Sequence, residues 1–177
     1  MDDAALIDAV RDHAYLEGDF VLRSGKRSAY YLDKYRFETV PDVLEALGAR
    51  LAAKLVEVEP DAARLAAPEL GAVALAAAAS LASRVPFLIV RGEAKAYGTA
   101  NRLEGAFSPG ERVALIEDVV TSGGAAADAV RAVRQAGLEC RTAICVIDRE
   151  EGGADALARL GVRLHSLFRA AQVVEGR

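Results

Sequence analysis

Residues 113–127, with the sequence VALIEDVVTSGGAAA, decide how this chain folds. An apolar run ends in two adjacent carboxylates, Glu117 and Asp118, and a small polar turn with two glycines then precedes an alanine-rich segment. This order predicts a buried strand, a tight loop and the start of a helix. Glycine lets the backbone approach a ligand closely, and the first amides of a helix favour an anion. The stretch therefore predicts an anion site with carboxylates beside it, which suits a phosphorylated sugar.

Other glycine-loop sites do not fit the same stretch. No Gly-Lys-Ser/Thr follows the glycines, and the three-glycine spacing of a dinucleotide fingerprint is missing. An ordinary strand-to-helix turn remains the alternative if the loop is taken alone. The carboxylate pair favours a binding site, because unpaired acids at the end of a buried strand are costly unless something meets them.

Composition and charge narrow the classes of function. The 177 residues suffice for one α/β domain with a core, and 53% hydrophobic with 27% charged residues is ordinary for a globular protein. A net charge of −4 argues against nucleic-acid binding as the main function. It does not exclude an anionic small substrate, since a cleft can be locally positive.

Neither the N-terminus nor the most apolar segment of the sequence indicates a membrane or secreted protein. The acidic N-terminus lacks the features of a signal peptide, and the apolar segment 70–82 is shorter than the roughly 20 residues that span a bilayer. Two cysteines in one apolar run, Cys140 and Cys145, are expected to be buried and reduced. We therefore expect a cytoplasmic protein.

Strand and helix patterns alternate along the middle and end of the chain. This alternation predicts an α/β fold with a mostly parallel central sheet flanked by helices. A hairpin at 20–33 is too early and too polar at its tip to join that sheet, so we expect it to stand apart as a small N-terminal hood. We predict one domain over 1–177, with the first helix and hood in 1–40 and the α/β core in 41–177.

The segment IEDVVTSGGA, residues 116–125, resembles the phosphoribosyl-pyrophosphate (PRPP) signature of the type I phosphoribosyltransferases. The resemblance implies the fold of that family. It also implies that the loop cradles the 5′-phosphate of PRPP and that the two carboxylates face the ribose hydroxyls. The implied PRPP-binding residues here are Glu117, Asp118, Val119, Val120, Thr121, Ser122, Gly123, Gly124 and Ala125.

The hairpin FVLRSGKRSAYYLD, residues 20–33, resembles the hood of the orotate phosphoribosyltransferases, which covers the pyrimidine. An exposed hairpin with basic tips is the alternative for any single residue in it. The resemblance implies that Arg23 and Tyr31 contribute to orotate binding, together with Thr121 of the loop. The Asp148-Arg149 pair after a later strand matches the family's orotate-binding arginine. A guanidinium suits a carboxylate-bearing pyrimidine.

The polar, glycine-punctuated residues 92–105 predict a binding loop or a surface loop. Within it, RGEAKAYG at 91–98 resembles the family's catalytic loop, Arg-Lys-x-x-Lys-x-His-Gly. The resemblance implies a mobile lid in which Arg91 and Lys95 are catalytic and bind PRPP. Gly92 replaces the first lysine of the pattern. Tyr97 replaces the histidine, and it can still donate one hydrogen bond to phosphate.

The resemblance as a whole implies transfer of the phosphoribosyl group of PRPP to orotate, giving orotidine 5′-monophosphate and pyrophosphate in pyrimidine (UMP) biosynthesis. Mg²⁺ is expected to arrive bound to PRPP and not in a metal site of the protein. The family's homodimers imply a lid that acts in the partner's site. The alternatives are a phosphoribosyltransferase for another base and a catalytically weak regulator that binds PRPP or a nucleotide.

Overall fold

A computed structural model describes residues 1–21, 25, 27–93 and 102–174, with only the backbone of Ser28. Seven helices and eight strands lie in these described ranges. In chain order they are α1 (Asp3–Ala14), β1 (Tyr15–Val21), β2 (Arg27–Leu32), α2 (Lys34–Glu38), α3 (Pro41–Val58), β3 (Arg64–Pro68), α4 (Gly71–Ser83), β4 (Phe87–Val90), β5 (Leu103–Glu104), β6 (Arg112–Val120), α5 (Gly124–Gln135), β7 (Glu139–Asp148), α6 (Gly153–Ala158), β8 (Arg163–Arg169) and α7 (Ala170–Val174).

Six of the strands form one sheet in the order β5-β4-β3-β6-β7-β8. Its neighbours pair in parallel except at the β5 edge, which pairs antiparallel with β4. The carboxyl ends of the five parallel strands therefore meet at one edge of the sheet, and β6 lies near its centre. The prediction of a mostly parallel sheet flanked by helices is confirmed.

The sheet is covered on both faces. Successive side chains of a strand point to opposite faces, and the neighbours Leu115 and Ile116 of β6 belong to different apolar clusters. The Ile116 cluster includes Leu47 of α3 and Leu75 of α4, whereas the Leu115 cluster includes Val130 of α5. Burial on both faces explains why β6 begins as a continuous apolar run and does not alternate.

The first two strands form a separate antiparallel sheet. β1 starts at Tyr15, earlier than the predicted hairpin, and its pairing is irregular between Glu17 and Phe20. The ring of Tyr15 stacks on that of Tyr30, with centroids 5.5 Å apart. Residues 22–24 and 26 near the tip lie outside the described residues.

Three short elements were not predicted, namely α2, β5 and α7, because elements of two to five residues show no apolar periodicity. Pro41–Val58 is helical as expected, with proline in the first turn. Both cysteines are buried and free. Among the described residues, no helix combines the length and apolarity needed to cross a bilayer.

Candidate functional site

The loop between β6 and α5 forms a cradle at the carboxyl edge, which we define as residues 121–125. Thr121 and Ser122 are exposed, and Gly123 has a φ of +77° that a side chain would strain. A Cβ at Gly123 would also lie 2.9 Å from the carbonyl oxygen of Gly153. The amide of Ala127 donates to the carbonyl of Gly123 at 2.8 Å. The amides before Ala127 have no acceptor within the helix, so they can bind an anion.

The carboxylate of Asp118 is buried beside the cradle, with 2% of the residue exposed. Its Oδ1 accepts a hydrogen bond from the amide of Val119 at 2.5 Å, and its Oδ2 lies 2.5 Å from Nζ of Lys34. Burial lowers the pKa of Lys34, but the charge and hydrogen bond of Asp118 more than offset this, so the pKa is raised. Asp118 and Lys34 therefore form an ion pair whose carboxylate is buried and whose lysine is partly exposed.

Two further carboxyls share this buried space. Glu117 is 6% exposed and Glu38 is 2% exposed, and within the described structure the Oε1 atom of each has no hydrogen-bond partner. Burial, and next the charge of Asp118, raise the pKa of both carboxyls to about 8. Their burial beside Asp118 therefore favours the protonated form of both carboxyls. We call Lys34, Glu38, Glu117 and Asp118 the carboxylate cluster.

The start of α4 leaves room for the carboxylate cluster. A Cβ on Gly71 would overlap the carboxylate of Asp118 and would lie 2.9 Å from Nζ of Lys34. Gly71 follows the loop at the carboxyl end of β3 and is the first residue of α4. The lack of a side chain at Gly71 therefore makes room for the Lys34–Asp118 pair.

The ends of the predicted lid are held at the same edge. The amide of Arg91 donates to the carbonyl of Arg102 at 2.7 Å, and Arg102 pairs with Asp128 of α5 at 2.5 Å. The amide of Gly92 donates to Oε1 of Glu69, in the loop after β3, at 2.9 Å. These contacts fix where the chain leaves the sheet and where it returns.

Arg91, the catalytic candidate within the described residues, lies directly after β4. Its Nη1 is 3.7 Å from Oε1 of Glu104, and its side chain is partly exposed. Lys95 and Tyr97 lie outside the described residues, in the gap at 94–101. Because both ends of that gap are at the carboxyl edge, it begins and ends on the side of the cradle.

The predicted orotate-binding residues are described only in part. The amide of Arg149 donates to the carbonyl of Val120 at 2.9 Å, which places it beside the cradle. Its guanidinium is largely buried and pairs with Glu151 at 2.9 Å. Tyr31 is exposed, and its ring is 5.6 Å from that of Phe20 in the hairpin. Arg23 lies outside the described residues.

Sequence reasoning missed Lys34, Glu38, Gly71 and the side-chain role of Glu69. One signal was available, since Lys34 and Glu38 have the i, i+4 spacing that brings side chains together on a helix. Nothing in that spacing indicates that the lysine reaches Asp118, which is far away in sequence.

A cavity at the opposite edge of the sheet lacks the glycine loop and the buried carboxylates of the candidate site. A cavity of about 500 Å³ at the amino edge is lined by residues that include Arg141, Arg163 and His165. Arg141 is exposed and pairs with Glu139, so this surface is a solvated one without a glycine loop. Within the described ranges, no three His, Cys, Asp or Glu side chains are grouped so as to hold a metal ion.

Comparison with known proteins shows which family the chain resembles over its length. The chain is 42% identical to the orotate phosphoribosyltransferase of Methanocella arvoryzae over 173 residues, which cover 97% of each protein. The crystal structure of Mycobacterium tuberculosis orotate phosphoribosyltransferase with Fe(III) dicitrate superimposes with a TM-score of 0.87 at 32% identity, covering 98% of this chain and 99% of that one.

A structure of the Mycobacterium tuberculosis enzyme in complex with PRPP has a TM-score of 0.82 at 30% identity, with 98% and 99% of the two chains covered. No family model matches the chain. The matched lengths cover nearly the whole of this chain and of each of these enzymes. The chain therefore belongs to the orotate phosphoribosyltransferase family.

Proposed function

We propose that this protein transfers the phosphoribosyl group of PRPP to orotate, giving orotidine 5′-monophosphate and pyrophosphate in pyrimidine biosynthesis. The observation that carries the proposal is the main-chain anion cradle beside buried carboxylates at the carboxyl edge. Ligands of open α/β sheets bind at that edge. Membership of the orotate phosphoribosyltransferase family supplies the reaction.

The cradle and the residues at the end of β6 would bind different parts of PRPP. The backbone of residues 121–125 would hold the 5′-phosphate, since the first amides of α5 have no intrahelical acceptor. Glu117 and Asp118 would meet the ribose hydroxyls from the end of β6. Val119 and Val120 join these two parts, and Val120 is buried while Thr121 is exposed. The strand end thus presents hydroxyl acceptors and phosphate donors within a few residues.

The reaction needs little acid–base chemistry. The anomeric carbon gains positive character as pyrophosphate leaves, so the protein must stabilise the leaving anion and exclude water. Arg91 and Lys95 would supply positive charge to pyrophosphate. Tyr97 would add one hydrogen bond without charge. The fixed ends of the lid, at Gly92 and Arg102, support this role because they hold both ends of the lid at the carboxyl edge.

Orotate would bind between the end of β7 and the hairpin. Arg149 would face its carboxylate, with Thr121, Arg23 and Tyr31 completing the site. The ion pair with Glu151 supports this role because it holds a largely buried guanidinium beside the cradle. An incoming carboxylate can replace Glu151, which is half exposed, without leaving the guanidinium unpaired.

Mg²⁺ would enter as part of the substrate, bound to the oxygens of PRPP, which suits a hard cation that retains its waters. We also propose a homodimer in which the lid of one protomer serves the site of its partner. The protein would act in the cytoplasm.

The proposed function is tested by assaying turnover with PRPP and Mg²⁺ against orotate, uracil, hypoxanthine and adenine. We expect product with orotate. Product with a different base alone would assign another phosphoribosyltransferase activity. Binding of PRPP without any product would favour a regulator, the alternative that Gly92 and Tyr97 support because they remove two charged or titratable side chains from the family's lid pattern.

Lys95→Ala tests the lid. We expect kcat to fall roughly a hundredfold, as when one group that stabilises transition-state charge is removed, while PRPP affinity changes much less. Lys54→Ala, on the outer surface of α3, is the matched control and should leave both quantities unchanged. Equal losses of affinity and turnover in Lys95→Ala would contradict a role in stabilising the leaving group.

Arg149→Ala tests the choice of base. We expect the KM for orotate to rise roughly tenfold or more, because a charge-assisted contact is lost, while PRPP affinity is retained. The control is Arg169→Ala, at the end of the adjacent strand β8, where the guanidinium is exposed. A parallel loss of PRPP and orotate binding would remove the assigned role.

A further inference from the structure

The ion pair of Lys34 with Asp118 joins the hairpin side of the protein to the PRPP signature. Lys34 is the first residue of α2, directly after β2 and Asp33. Its ammonium reaches Oδ2 of Asp118 at 2.5 Å, and the carboxylate is 3% exposed while the lysine side chain is 34% exposed. The lysine therefore extends from a partly solvated position into the buried end of β6.

The charges of the carboxylate cluster are unbalanced. Three buried carboxyls, those of Glu38, Glu117 and Asp118, share the ammonium of Lys34. Like charges in close, buried positions do not all ionise. Asp118 has both the ammonium of Lys34 and a backbone amide as donors. Glu117 has the backbone amide of Asp118, and Oε1 of each glutamate has no hydrogen-bond partner among the described groups. The contacts thus select one of the three carboxyls as the anion.

We propose that Lys34 is a positioning residue that keeps the negative charge of the cluster on Asp118 and holds this carboxylate ready for the ribose hydroxyls of PRPP. The inference rests on the proposed function and deepens it. An ionised carboxylate has about four acceptor positions, and the contacts to Lys34 and Val119 occupy two of them. Two positions are left for hydroxyl donors.

Lys34 is the cation that the described structure places in contact with Asp118. Glu38 lies on the α2 side, where Asp33 and Tyr35 also act on the pair. Glu117 precedes it on β6, and Cys145 of β7, the strand partner of Glu117, is close enough for the charge of Asp118 to act on it. From α4, the backbone of Gly71 lies at the point of contact. Removing Lys34 would take away the ammonium that pairs with the negative charge.

Lys34→Met removes the charge and keeps much of the side-chain volume. We expect the KM and Kd for Mg–PRPP to rise tenfold or more, as for truncation of one partner of a buried charge pair, with kcat changed less than threefold. The loss relative to the parent should be larger at pH 6 than at pH 8.5, because an uncompensated buried carboxylate is protonated more readily. Lys34→Arg should restore most of the affinity and the parent's pH profile.

Three controls separate this role from misfolding. Lys54→Met removes an ion pair with Glu57, whose carboxylate is 65% exposed, and should behave as the parent. Inorganic phosphate, which needs only the cradle, should bind Lys34→Met within about twofold of the parent if the variant is folded. If Lys34→Met does not fold, Lys34→Arg and Lys34→Gln are compared by the same pH profile.

The outcomes distinguish this inference from the proposed function. If the parent itself does not bind PRPP, the proposed function fails. If the parent binds PRPP and Lys34→Met binds it equally well or more tightly, or loses affinity equally at pH 6 and pH 8.5, the positioning role is overturned.

Discussion

The cradle and the carboxylate cluster lie side by side at the carboxyl edge, yet they are built in different ways. The cradle comes from one continuous stretch, and its donors are main-chain amides held by the left-handed backbone of Gly123. The carboxylate cluster combines side chains of α2 and β6 around the backbone of Gly71. Its geometry therefore depends on how distant elements pack.

The difference concerns what each site requires of the sequence. A main-chain anion site requires a backbone conformation, and small residues at a few consecutive positions supply it. A buried ion pair requires complementary charges and space for both groups, because an unpaired charge left in the interior is strongly destabilising. The carboxylate cluster should accordingly be the more sensitive of the two to single substitutions that add volume or change charge.

The largest expected effect compares a glycine at each site. Gly71→Ala places a methyl group on the carboxylate of Asp118 and close to Nζ of Lys34. Either the ion pair or the start of α4 must shift, so we expect the free energy of unfolding to fall by about 2–3 kcal/mol. Chemical denaturation of Gly71→Ala and of the parent at pH 7 measures this difference in unfolding free energy.

Gly124→Ala is the matched substitution in the cradle, since Gly124 is likewise the first residue of its helix. A Cβ there meets nothing within 4 Å. Alanine favours helix over glycine, so the free energy of unfolding should change by less than about 1 kcal/mol, in the stabilising direction. Similar destabilisation by the two substitutions would show that the cradle is packed as tightly as the cluster.

The same contrast explains what the sequence predicted. The order of strand, loop and helix in residues 113–127 is local, so β6, α5 and the cradle between them followed from the pattern of apolar residues and glycines. The apolar runs of β3, β4, β7 and β8 predicted a parallel sheet because both of its faces are buried. Long-range information was not needed for either conclusion.

The pairing of Lys34 with Asp118 required such information. A lysine after a hairpin is typical of a solvated surface. The burial of Glu38 and Asp118 depends on the packing of α2 against α4 and on the ion pair that joins α2 to β6. The contact of Glu69 with the amide of Gly92 likewise joins two loops through the folded sheet. Within the predicted site, Lys95, Tyr97 and Arg23 lie outside the described residues, and their roles stay predictions.

A smaller effect tests the charge state of the cluster. The pKa of Glu38 is raised to about 8 by burial and by Asp118, whereas it is near 4.5 in the unfolded chain. Between these values the folded state holds a proton that the unfolded state has released. Stability therefore falls as pH rises through this window, by on the order of 1 kcal/mol per pH unit for one such group.

Glu38→Gln keeps the neutral form at every pH. It should leave stability at pH 5 nearly unchanged and should make the protein more stable than the parent at pH 8, so that the slope of unfolding free energy against pH decreases. Glu111→Gln is the control of opposite sign, because the hydrogen bond of Arg64 lowers the pKa of Glu111. The stability that ionised Glu111 contributes is lost only as pH falls through the acid range. The difference in unfolding free energy between Glu111→Gln and the parent should therefore be constant between pH 6 and pH 8.5. A parent slope that Glu38→Gln leaves unchanged would mean that Glu38 is ionised in the folded protein, and the ammonium of Lys34 would then be shared between two anions.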